Sequence, residues 1–130
     1  AIGDIDNDGQ LDIAVSQMTP YLNLLWQNNE VNTNKWIKIR LIGVSSNSDG
    51  IGATIDVYAN DEQQTRQTHC SMGYLGQHSD QYHFGLADNL LIDSIVVHWP
   101  SGIIDKMEIE ELFRKELIRM NLICLLKEKE

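Results

Sequence analysis

Trp36-Ile37-Lys38-Ile39-Arg40-Leu41 decides the fold class. Ile37, Ile39 and Leu41 share one face, while Lys38 and Arg40 share the other, and this period of two describes a half-buried β-strand with one wet side. The pattern continues downstream. Ala53–Ala59 alternates with Ile55 and Val57 inward, Gln63–Cys70 is a polar strand, and Gln81–Leu86, Ser94–Trp99 and Ile103–Ile109 are further strands. Turn chemistry separates them: the Ser45–Gly50 loop, a hairpin turn at Asn60-Asp61-Glu62, and Trp99-Pro100-Ser101-Gly102. Short alternating strands with turns every 8–15 residues or so indicate an all-β domain, an antiparallel β-sandwich or small barrel.

Upstream, Leu11–Ser16 and Leu22–Asn28 read as two strands joined by a turn around Met18-Thr19-Pro20, and the polar run Glu30–Lys35 reads as a linker. The expected organisation is a hairpin unit over residues 1–30, the sandwich over 31–108 and a distinct tail over 109–130. In the tail, Ile109, Leu112, Phe113, Leu117, Met120, Ile123, Cys124 and, less regularly, Leu126 recur at helical spacing with Glu, Lys and Arg filling much of the other face, which predicts a C-terminal amphipathic helix.

The first unit opens with Gly3-Asp4-Ile5-Asp6-Asn7-Asp8-Gly9-Gln10-Leu11-Asp12. Counted from Asp4, acids fall at positions 1, 3, 5 and 9. Alternate residues of a loop converge on one point, and a hard cation such as calcium takes about six to eight oxygens. Asp4, Asp6 and Asp8 are the expected carboxylate ligands, Gln10 offers its backbone carbonyl, and Asp12 closes the site directly or through water. Gly9 permits the sharp turn. An EF-hand has a glutamate at position 12 and runs into a helix. Here position 12 is Val15, and Leu11-Asp12-Ile13-Ala14-Val15 is β-branched and alternating. The expected site is therefore a calcium loop feeding a strand.

The formal net charge of −9 argues against nucleic-acid backbones and anionic membranes as partners, and suits divalent cations. No apolar run reaches the 18 residues or so that a membrane span needs. The chain starts almost inside the aspartate motif, without a charged or apolar leader, as a chain whose upstream part lies elsewhere would. Cys70 and Cys124 match no metal-binding or redox spacing and are expected as free thiols.

Several ordered motifs resemble known families. Gly3–Val15 resembles an FG-GAP/VCBS repeat, the calcium-binding blade unit of integrin-like β-propellers. Five further stretches resemble the ASPIC/UnbV domain of the cartilage acidic protein group: Trp36–Leu41, Asp49-Gly50-Ile51-Gly52-Ala53, Gly73-Tyr74-Leu75-Gly76-Gln77, His83-Phe84-Gly85-Leu86 and Val97-His98-Trp99-Pro100-Ser101-Gly102. The resemblance implies a partial propeller-blade hairpin preceding the sandwich. It also implies a place outside the cytoplasm, extracellular or at the cell surface, or periplasm and outer membrane in a bacterium. It implies no enzymatic activity.

The residues agree with a non-catalytic module. His69, His78 and His83 lack the short face-sharing spacing of a zinc site. Ser101 lacks a nucleophile elbow, and Cys70 beside His69 points to the opposite face of a strand. Trp36, Tyr74 and Tyr82 form the candidate ligand surface, whereas Trp99 is expected in the core. The expected function is adhesion or scaffolding through an extracellular protein or glycan. The alternatives are an accessory domain of a larger extracellular enzyme, or an assembly element that self-associates through exposed strand edges.

Overall fold

A computed structural model describes residues 1–31, 33–74, 76–88, 91–108 and 123–128. The described residues are all β, with no helix among them. The chain forms two compact units: Ala1–Asn32 with Cys70–Ser79, and Thr33–His69 with Asp80–Glu130.

In the first unit, β1 (Ile2–Gly3), β2 (Asp12–Val15) and β3 (Leu24–Trp26) make a three-stranded antiparallel sheet in that order. The aspartate loop is the β1–β2 connection, pairing Gly3 with Asp12. Segment 70–79, which the sequence places inside the sandwich, runs in this unit, where His78 Nδ1 accepts from the Ile2 N–H at 2.8 Å.

The second unit is a sandwich. One sheet has the order β10-β4-β7 and the other β6-β5-β8-β9. These strands are β4 (Lys35–Ile42), β5 (Thr54–Ala59), β6 (Glu62–Gln67), β7 (Tyr82–Ala87), β8 (Ser94–His98), β9 (Ile104–Glu108) and β10 (Ile123–Lys127). The alternation does what its period requires: Ile37, Ile39, Leu41, Phe84 and Leu86 from one sheet meet Ile55, Val57, Ile95 and Val97 from the other in one buried core. Trp99 joins them, with its indole N–H donating to Asp105 at 2.8 Å. The β5–β6 hairpin closes on Asn60 and Asp61 at φ 51° and 64°, the doubly left-handed pair that a two-residue turn of this twist needs.

Two expectations change. The tail over 109–130 was expected to be helical. Residues 109–122 lie outside the described residues, but Ile123–Lys127 is a strand that runs parallel to β4, pairing Ile123 with Lys38 and Lys127 with Ile42. A short apolar run suits either structure, and the unpaired edge of β4 decides for the strand. The second change concerns the wet face of β4, which is not wet throughout. Lys38 is only 3% exposed, its ammonium 5.1 Å from the centroid of the Trp36 ring. Its alkyl stem is covered while the charge faces an aromatic ring.

Candidate functional site

The β1–β2 loop winds on its own carboxylates. Asp4 accepts from the Gly9 N–H at 2.8 Å, Asp6 from the Asp8 N–H at 3.2 Å, and Asp8 from the Gln10 N–H at 2.8 Å. These side-chain-to-backbone bonds favour tight, irregular backbone over helix. Asn7 and Gly9 take the left-handed conformation, at φ 61° and 91°. As a result, ligand oxygens of Asp4, Asp6 and Asp8 all lie within 4.8 Å of one another. At that distance in water each pair of charges repels by about 1 kcal/mol. The unit holding them contains Asp4, Asp6, Asp8, Asp12 and Glu30 and no lysine or arginine.

Two further ligands were expected, the Gln10 backbone carbonyl and Asp12. Gln10 Nε2 donates to the Glu30 carbonyl, and Gln10 Oε1 is buried with no hydrogen-bond donor to it. Asp12 is 1% exposed and is not part of the three-carboxylate group. Its two oxygens accept the Ile5 N–H at 2.8 Å and the Asn28 N–H at 2.9 Å. Asp12 therefore braces the base of the loop against the segment after β3. Three converging carboxylates are a hard, all-oxygen donor set of the kind calcium accepts.

The three aromatics differ in exposure. Tyr74, in the first unit, is 96% exposed. Trp36, in the second, is 7% exposed and stacks on His83 with ring centroids 5.6 Å apart, which removes it from any open surface. Tyr82 is half-buried in the same unit, and burial pushes its phenol upward, against hydrogen bonds from His69 and Thr68. Cys70 is a free, exposed thiol; Cys124 pairs through its backbone with Ile39. His98 lies 3.2 Å from Asp56, which also accepts from the Thr65 hydroxyl at 2.6 Å, so this histidine is part of a polar row across β6, β5 and β8.

Sequence reading missed one site. Glu128, directly after β10, is 2% exposed. One of its oxygens accepts the Val44 and Ser46 N–H groups, each at 2.7 Å. The other accepts the Ser46 hydroxyl at 2.9 Å and the Ser101 hydroxyl at 2.6 Å. Burial pushes the Glu128 carboxyl up, but the Ser101 hydroxyl, the Ser46 and Val44 N–H groups and the Ser46 hydroxyl outweigh it and hold the pKa at about 2. The loop is wound so tightly that a Cβ on Gly43 would lie 2.0 Å from the Asn47 carbonyl oxygen. A cavity of about 240 Å³ lies in the same unit, lined by Ile95, Val97, Trp99, Asp105, Lys106, Met107 and Lys127. No sequence signal could have located either feature, because both assemble from segments far apart in the chain.

Among the described residues no helix is long and apolar enough to cross a membrane. A search of curated proteins gives no match. A family model described as ASPIC and UnbV matches residues 43–115, beginning after the aspartate loop and covering most of the sandwich. Domains of this family are typically extracellular or secreted. With more than half of its length matched, over a stretch that includes β5 to β9, the chain belongs to the ASPIC and UnbV family.

Proposed function

We propose that the chain is a non-catalytic, calcium-binding module of an extracellular protein, working in adhesion or scaffolding by holding a protein or a glycan. The observation that carries this is the convergence of Asp4, Asp6 and Asp8 in a unit without a lysine or arginine to neutralise them. Calcium bound by these three carboxylates, with Gln10 contributing oxygen, would cancel their repulsion and pin the loop that sets the start of β2. Asp12 keeps the loop closed through its two backbone bonds, whether or not the ion is present. The reading makes the first unit an FG-GAP/VCBS-like blade element and the second its ASPIC/UnbV companion. Tyr74, the most exposed aromatic, is the surface residue best placed to touch a ligand.

Calcium titration followed by thermal melting tests the metal. Extracellular calcium modules bind with dissociation constants on the order of 10⁻⁴–10⁻³ M. Calcium at ten times that constant stabilises by about 1.4 kcal/mol, a rise of a few degrees in melting midpoint. An unmoved midpoint at millimolar calcium sinks the proposal. A glycan array alongside a Tyr74→Ala variant separates sugar from protein ligands.

A second reading, self-assembly, is favoured by β3. It is an edge strand among the described residues, and Leu24, Leu25 and Trp26 are all exposed on it. Sedimentation of a Leu25→Lys variant tests it: a charge at that edge abolishes association if β3 is the contact.

A further inference from the structure

Among the described residues β10 has a single strand neighbour, β4, and it ends in an anchor. After the last paired residue, Lys127, the Glu128 N–H donates to the Ile42 carbonyl at 2.9 Å and its carboxylate enters the cradle of Val44, Ser46 and Ser101. Val44, Ser46 and Ser101 lie inside the matched family region, and Glu128 lies outside it. Within the cradle, Ser46 Oγ also accepts from the Ser101 N–H at 3.2 Å, and Ser101 Oγ from the Ile103 N–H at 3.3 Å, so backbone groups help orient both hydroxyls. Main-chain pairing along a sheet edge with one specific side-chain pocket is how domains recognise extended peptides by strand addition.

We propose that the edge of β4, with the Val44–Ser46–Ser101 cradle, is a receptor for an extended segment bearing a glutamate, and that a second copy of the chain supplies its own Ile123–Glu128 to it. The chemistry selects the occupant. Two N–H groups and two hydroxyls, all donating, suit an anion and leave a neutral group poorly matched. The one segment shown to satisfy both the parallel register and the cradle is Ile123–Glu128, and every copy carries it. Fourteen residues separate Glu108 from Ile123, a stretch that reaches up to roughly 46 Å when extended. That reach allows exchange between copies, the ordinary low-cost route to a swapped dimer. The inference does not depend on the calcium loop.

Two measurements test it. In the first, a fluorescent synthetic peptide of residues 121–130, with Cys124→Ser, is titrated into the full chain carrying Glu128→Ala. Saturable binding is expected, weakened about tenfold or more when the peptide itself carries Glu128→Gln. No binding to a folded variant, or equal binding of both peptides, overturns the receptor. If circular dichroism shows that Glu128→Ala does not fold, Ser101→Ala takes its place, with the same two outcomes deciding. In the second, the wild-type chain is sedimented at rising concentration. A dimer that dissociates with excess peptide is expected. A chain monomeric at its highest soluble concentration, or a dimer that the peptide leaves unmoved, overturns the second copy as occupant.

Discussion

Gly50→Ala tests how rigidly the sandwich is packed at its loop end. Gly50 is buried at φ +62°, and a Cβ there would lie 2.8 Å from Leu41 Cβ, 2.9 Å from Leu41 Cδ1 and 3.1 Å from Trp99 Cζ3. Leu41 Cβ is fixed to the central strand of its sheet and cannot swing away. Gly50 cannot move freely either: its N–H donates to the Asn47 carbonyl, and its carbonyl accepts the Ala53 N–H and the Thr68 hydroxyl. Two costs therefore add. Left-handed backbone costs a non-glycine residue about 1–2 kcal/mol, and overpacking costs about 1–3 kcal/mol. The sum, about 2–5 kcal/mol, is a large share of the 5–15 kcal/mol or so that holds a typical domain together. Gly102→Ala is the matched control, since Gly102 has φ +88° but nothing within 4 Å of its Cβ position, so it carries the backbone cost alone. Urea unfolding followed by tryptophan fluorescence gives the difference. With a slope near 2 kcal/mol/M, Gly50→Ala should unfold about 0.5–1.5 M earlier than Gly102→Ala at unchanged slope. Equal midpoints for the two variants would refute the claim that Leu41 and Trp99 hold their positions.

Three further outcomes are expected. Asp8→Asn keeps the acceptor for the Gln10 N–H but removes a charge that faces both Asp4 and Asp6, so it stabilises the calcium-free chain by up to about 2 kcal/mol while weakening the calcium response, both read from melts with and without chelator. Glu128 has a folded pKa of about 2, below the ordinary carboxylate value, so its contribution is fully present above about pH 4.5 and is lost as pH falls toward 2; the stability gap between wild type and Glu128→Gln should close over that window, and a gap constant with pH would contradict it. Asp61→Gly places the preferred residue at the second left-handed position of the β5–β6 turn and should stabilise by about 0.5–1 kcal/mol in chemical unfolding, with Asp61→Val moving the opposite way.

Local chemistry made the sandwich legible. The alternation of Ile37, Ile39 and Leu41 names a core face that the structure buries, and Asn60-Asp61 announces a hairpin that it closes. Spacing also brought Asp4, Asp6 and Asp8 together in advance. Spacing could not show that Asp12 accepts two backbone N–H groups, because a buried carboxylate serves an ion and a peptide N–H equally well, and Asn28 is sixteen residues away. Lys38 misled for a related reason: a charge in an alternating strand reads as solvent-facing unless its aromatic neighbour is known to cover it. The β10 contact was beyond reach, since Glu128 meets Val44 and Ser46 across 84 and 82 residues and no pattern of short period carries that pairing.

The same separation bears on how the chain is made. β4 emerges from the ribosome some 80 residues before β10, the strand that covers its outer edge. At roughly 5–20 residues per second, that interval lasts about 4–16 s. Throughout it, β4 presents bare N–H and C=O groups beside a growing apolar core, which is when a nascent sheet most readily captures a foreign strand. Synthesis rate and chaperone supply, more than the stability of the finished fold, should therefore govern the yield of native protein, and the arrival of Ile123–Lys127 ends the hazard.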